Sequence, residues 1–108
     1  MYSIRKTENL EEVMLLNEYI FPCDPLDIDE QTVGWLIKHK GKNVGFCTMR
    51  LLSDGIAYLD RGGVLKEHRR KGLHRRLINV RERYAKKHGY DHVITYTMAD
   101  NYFSLFTL

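Results

Sequence analysis

A chain of 108 residues, 44% hydrophobic and 29% charged, has the length of one domain with a single core and is neither disordered nor fibrous in composition. No apolar run approaches the roughly 18–20 residues of a membrane span, and "MYSIRKTENL" lacks the apolar centre of a signal peptide, so a single cytoplasmic domain over residues 1–108 is expected. The net charge of +3 hides an asymmetry: residues 66–88 hold ten Lys or Arg against Glu67 and Glu82, a local +8, while the remainder is −5.

In chain order, residues 2–6 read as a short strand. Thr7 is placed to cap a helix through "ENLEEVMLLNEYI", with Glu8, Glu11 and Glu12 at its positive end and Leu10, Val13, Met14 and Leu16 on its apolar side. The prolines of "FPCDPLDIDE" break that helix into a loop with a short helical turn. "TVGWLIKHK" and "NVGFCTMRLL" alternate as strands and predict a hairpin turning at Gly41-Lys42. After a turn at 53–55, "IAYLDRGGVL" is a further strand, in which Gly62 and Gly63 predict a bulge or splay. From Gly72 the period becomes helical, through Leu73, Leu77, Val80 and Tyr84, until Gly89 closes the helix behind Lys86, Lys87 and His88. "HVITYTM" then predicts a buried strand and "ADNYFSLFTL" the start of another helix, giving the order β-α-β-β-β-α-β-α, an α/β domain around a mixed sheet. The apolar end without a cap reads as a pattern cut short. Cys23 and Cys47 lack metal-ligand spacing and read as free thiols.

The segment "VLKEHRRKGLHRRL" joins strand to helix. The first N–H groups of a helix have no intrahelical partner and lie at the positive end of its dipole, so a strand, a glycine turn and a helix start together form an anion site. Gly72 lets the backbone approach a ligand closely. Arg69, Arg70, Lys71, Arg75 and Arg76 repel one another there and oppose the dipole, by about 0.3–1 kcal/mol each where exposed. A polyphosphate would relieve both. Neither G-x-x-x-x-G-K-S/T nor G-x-G-x-x-G is present.

In "VLKEHRRKGLH", Val64, Arg69 and Gly72 resemble the acyl-CoA loop of the GNAT superfamily, the acetyl-CoA-dependent N-acyltransferases. That loop reads Q/R-x-x-G-x-G/A between the family's fourth strand and third helix; His74 stands here where Gly or Ala is usual. Asn101 and Ser104 satisfy the N-x-x-A/S that commonly follows the fifth strand, and the order of elements is similar to the family's. The resemblance implies a mixed, mainly antiparallel sheet with flanking helices, whose diverging fourth and fifth strands admit pantetheine. It implies acetyl-CoA as co-substrate and an amine as acceptor. Main-chain groups of Val64 would pair with pantetheine, and the backbone from Arg70 through Gly72, Leu73 and His74 to Arg75 would hold the pyrophosphate. Arg69, Arg70 and Lys71 would add charge, and Asn101 and Ser104 would face the cofactor's other side.

The family usually transfers the acyl group by direct attack of the amine, with a carboxylate of the fourth strand as base. Asp60 is the candidate, against the alternative of a salt bridge with Arg61. The family's thiolate-protonating tyrosine falls on Leu108, leaving Tyr96 and Tyr102 as substitutes or as packing aromatics, and the family's last strands are expected to be missing. None of His39, His68, His74, His88 and His92 has zinc-like spacing, so no metal is expected. Two alternatives stand beside the N-acetyltransferase reading: a nucleic-acid-binding module using residues 66–88, and a non-catalytic interaction protein of the same fold. An uncovered strand edge and an apolar C-terminus make a homodimer a further expectation.

Overall fold

Alternating apolar residues in three central strands bury both faces of one sheet, and one helix covers each face. The computed structural model describes residues 1–97 and 102–108. Its elements are β1 (Tyr2–Thr7), α1 (Leu10–Ile20), β2 (Thr32–His39), β3 (Lys42–Leu51), β4 (Ile56–Val64), α2 (Leu73–Lys87), β5 (His92–Thr97) and β6 (Tyr102–Thr107), with a 3-10 turn at Lys66–His68. The strands lie side by side in chain order. All neighbours are antiparallel except β4 and β5, which are parallel and joined by the α2 crossover. The class is the expected one, a mixed and mostly antiparallel sheet with flanking helices.

On one face Trp35, Ile37, Cys47, Met49, Ala57 and Leu59 pack against Leu73, Leu77 and Ala85 of α2. On the other, Val13 of α1 meets Leu26, Leu36 and Phe46. Each fully buried aliphatic or aromatic side chain contributes roughly 1.5–3 kcal/mol, and most of them lie in the β2–β4 meander and its two helices.

Three boundaries differ from expectation. Thr7 does not cap α1: it still pairs with Gly34 in the sheet, its hydroxyl accepts the Asn9 N–H at 3.0 Å, and the helix begins at Leu10. The β2–β3 hairpin turns at Lys40-Gly41, one residue earlier than expected, because both positions adopt positive φ (52° and 78°), which the right-handed twist of the flanking strands requires. The last element is a strand and not a helix. β6 pairs antiparallel with β5 from Thr97↔Tyr102 to His92↔Thr107, and the Leu108 N–H donates to the Asp91 carbonyl at 2.8 Å. The aromatics and threonine of "YFSLFT" suit a pleated surface, and the open edge of β5 offers backbone partners that a short uncapped helix would forgo.

Candidate acyl-CoA site

β4 and β5 are in register only from Ile56↔His92 to Leu59↔Thr95. Beyond that point β4 continues from Asp60 to Val64 with pairing to β3 alone. Two parallel strands therefore separate at their carboxyl ends, where ligands of open α/β sheets enter. The divergence expected from Gly62 and Gly63 is present, but the bulge lies upstream of them. Thr48 pairs with Arg61 and Met49 with Leu59, leaving Asp60 as the extra residue. Gly63 has a different cause: a Cβ there would come within 2.7 Å of the Phe21 ring and 3.1 Å of Phe46, so glycine lets α1 pack on the sheet.

The chain leaves β4 through a braced loop. The Leu65 N–H donates to the Val44 carbonyl at 2.9 Å, and Arg69 Nε donates to the Val64 carbonyl at 3.0 Å. Tyr2 Oη and His68 Nδ1 lie 2.9 Å apart, which ties the 3-10 turn to β1. Arg70 (φ 62°) and Gly72 (φ 74°) both turn left-handed, and Gly72 is the N-cap of α2. A Cβ on Gly72 would meet no atom within 4 Å, so its backbone faces open space. No side chain caps α2 and no acid stands in its first turn; the first helical bond is Arg76 N–H to Gly72 O at 3.3 Å. The N–H groups of Leu73, His74 and Arg75 are thus left for an acceptor from outside the helix. Arg69, Arg70, Lys71, His74 and Arg75 are exposed around this point, whereas the side chains of Val64 and Leu73 belong to the core.

Asp60 stands half-buried at the divergence and forms no salt bridge among the described residues. Arg61, its expected alternative partner, donates instead to Asn17 Oδ1 at 2.9 Å and to the Asp24 carbonyl, with its guanidinium over the Phe21 ring. Desolvation raises the Asp60 pKa above the usual carboxylate value, opposed by Arg61, Arg50 and Arg81 and assisted by Asp27. The Tyr58 phenol is also pushed up, by burial, by Asp60 and by Tyr96 among other neighbours. Partial desolvation and the cations Arg81 and Arg69 push the His74 pKa down.

Asn101 and the Tyr102 side chain lie outside the described residues. Ser104 is half-buried on β6 opposite Thr95, on a strand and not a helix. Among the described residues no three His, Cys, Asp or Glu gather into a metal-holding group, and no helix is long and apolar enough to cross a membrane. Of the cations in residues 66–88 only Arg81 is buried, at 6% exposed; Arg76 is exposed and donates to the Tyr2 carbonyl at 3.3 Å. The buried stripe of α2 is Leu73, Leu77, Arg81 and Ala85, a strict four-residue spacing. Sequence reasoning missed Arg81 there because its charge argued for solvent; the spacing from Leu77 was the available signal.

The first strand of a splaying parallel pair thus leads through a glycine turn into an uncapped helix, in a mixed α/β domain. The model of the Acetyltransferase (GNAT) family matches residues 1–106, and the chain belongs to that family. Among curated proteins no sequence gives a significant match. Solved structures share the fold at low identity. The ribosomal-protein-S18-alanine N-acetyltransferase from Escherichia coli aligns with TM-score 0.77 at 19% identity, covering 94% of this chain and 70% of that one. The aminoglycoside N-acetyltransferase AAC(6')-Iy in complex with CoA gives 0.74 at 18%, covering 93% and 79%. The ribosomal-protein-alanine N-acetyltransferase from Brucella melitensis gives 0.73 at 19%, covering 88% and 80%.

Proposed function

We propose that the chain moves the acetyl group of acetyl-CoA to an amine acceptor by direct attack in the cleft between β4 and β5. One continuous geometry supports the reading: β4 parts from β5 after Leu59 and turns through Arg70 and Gly72, both at positive φ, into the open N-terminus of α2. The open space over Gly72 and the free N–H groups of Leu73, His74 and Arg75 fit a pyrophosphate, with Arg70, Lys71 and Arg75 supplying charge. Arg69 braces the end of β4 through the Val64 carbonyl. The stretch of β4 without a β5 partner, Asp60 to Val64, offers main-chain groups to the pantetheine amides. Ser104, opposite Thr95 on β6, and Asn101 are assigned to the cofactor's other side.

Acetyl-CoA supplies an activated acyl carbon and a thiolate leaving group. Asp60 takes the proton that the attacking nitrogen gives up, and its raised pKa makes it a stronger base than an ordinary carboxylate while the bulge presents it at the divergence. Tyr96, the residue after the last β5 position paired with β4, is assigned the return of a proton to the departing sulfur.

Calorimetric titration of the chain with acetyl-CoA and with CoA at two salt concentrations tests the site. Saturable one-to-one binding that persists at the higher salt, and is lost in Gly72→Glu, is expected. Folded protein that binds neither ligand would overturn the reading. A signal that collapses with salt in the manner of a polyanion contact would also overturn it.

A further inference from the structure

Arg81 is 6% exposed, on the face of α2 that packs against the sheet. Burying a guanidinium costs several kcal/mol unless its charge or its donors are matched, yet among the described residues Arg81 forms no ion pair. Its bonds go to two neutral carbonyls. Nε donates to Leu77 O at 3.1 Å, which lays the side chain along its own helix, and Nη1 donates to Thr48 O at 3.1 Å. Nη2 lies 3.8 Å from the place a Cβ of Gly62 would take.

The Thr48 bond carries the argument. Thr48 is the β3 residue at which the register shifts, and its hydroxyl accepts the Arg61 N–H at 3.3 Å. Two bonds therefore meet at the residue beside the bulge, the Arg81 side chain on its carbonyl and the Arg61 main-chain N–H on its hydroxyl. A neutral donor could satisfy a carbonyl; a cation does more only if an anion lies near. Asp60 and Glu82 are the carboxylates that act on Arg81, and Asp60 is the one at the bulge. Of the three cations acting on Asp60, Arg61 reaches Asn17 Oδ1 and the Asp24 main-chain carbonyl, and Arg50 is paired with the Asp29 carboxylate. The Arg61 and Arg81 side chains both bond neutral oxygens among the described residues, and Arg81 is the one bonded to Thr48 opposite the bulge.

We infer that Arg81 is a positioning residue for the Asp60 base: through Thr48 it fixes the β4 bulge, and from beneath the sheet its charge holds the Asp60 carboxylate at the point where β4 and β5 part. The inference rests on the reading of Asp60 as the base. Arg61, Arg50 and Arg81 draw the Asp60 pKa down against desolvation and Asp27, so the geometry and the electrostatics agree. Tyr58 on β4 also interacts with Asp60, while Cys47 and Glu82 act on Arg81, which in turn acts on His74. Arg81 supplies the chain with a base that stays ionised in a partly dry cleft.

The test needs no acceptor. The Asp60 side-chain carboxyl carbon is titrated by NMR in the intact chain and assigned through Asp60→Asn, alongside the Arg81 Nε–H resonance. The Nε–H shift is expected to follow the Asp60 titration and to become flat in Asp60→Asn. The Asp60 midpoint is expected to rise in Arg81→Met and to return toward the original in Arg81→Lys. An unchanged midpoint in Arg81→Met, or an Nε–H that ignores the Asp60 titration, would overturn the inference; should Arg81→Met not fold, the parent and Asp60→Asn proteins decide. CoA calorimetry separates the two readings. Coupling without CoA binding would remove the transferase reading and leave the Arg81–Asp60 linkage, and CoA binding without coupling would do the reverse.

Discussion

Gly62 and Gly63 are adjacent in β4, yet adding one methyl group to each should have opposite consequences. At Gly63 a Cβ would stand 2.7 Å from Phe21 Cε2, 3.1 Å from Phe46 Cε1 and 3.3 Å from Ile20 Cγ2. Phe46 is fully buried, and Phe21 is wedged edge-on against it beneath the Arg61 guanidinium, so neither ring moves without breaking another contact. Overpacking of this kind costs about 1–3 kcal/mol, and the lower entropy of an unfolded alanine chain returns roughly 0.4–1 kcal/mol. Gly63→Ala should therefore lose on the order of 1–2 kcal/mol, a fall of roughly 5–10 °C in melting temperature for a domain of this size. At Gly62 the nearest atoms would be Cys47 Cβ and Leu77 Cδ1, both at 3.7 Å, which is ordinary contact. Gly62→Ala should be neutral or slightly stabilising. Urea denaturation of both variants, with CoA titration of the folded species, measures the contrast. Equal stability of the two variants would refute the close packing of α1 on β4 from which the magnitude was worked.

His74 should link CoA binding to protons. Its pKa is held down by partial desolvation and by Arg81 and Arg69, and a bound pyrophosphate would raise it, so a proton is taken up and affinity increases as pH falls through the histidine range; His74→Ala should flatten that slope in calorimetry, and an unchanged slope would exclude His74 from the phosphate site. Cys47 is buried with its thiol pushed up to about 12, mainly by desolvation, whereas Cys23 is exposed. An aromatic disulfide reagent should label one thiol in the native protein, abolished in Cys23→Ser, and two after denaturation. Leu77→Ala should cost about 2–5 kcal/mol, because the side chain is fully buried beneath the site helix; a loss under 1 kcal/mol in urea titration would mean that α2 packs differently. Arg61→Met should destabilise by about 1–3 kcal/mol through the unmade bonds to Asn17 and Asp24, and limited proteolysis should show faster cleavage within residues 21–31.

By itself the sequence determined what depends on neighbours along the chain. The turn from β4 into α2 is legible because its parts are consecutive: strand, cations, Gly72 and helix start need no distant residue to be recognised. The left-handed turn at Gly89 is legible for the same reason, since backbone sterics decide it; Tyr90 N–H to Ala85 O at 2.9 Å and Gly89 N–H to Lys86 O at 3.2 Å close the helix as the glycine demands. What tertiary structure decided depends on partners far away. Thr7 left the helix for the sheet because Gly34 pairs with it, and "YFSLFT" became a strand because β5 offered an unpaired edge. The bulge fell at Asp60 and not at the glycines, since the register of β4 is set by β3 across from it. Arg81 is the clearest case. Helical spacing puts it on the buried face, but a charge is tolerated there only with a carbonyl to receive it, and that carbonyl belongs to Thr48, 33 residues away.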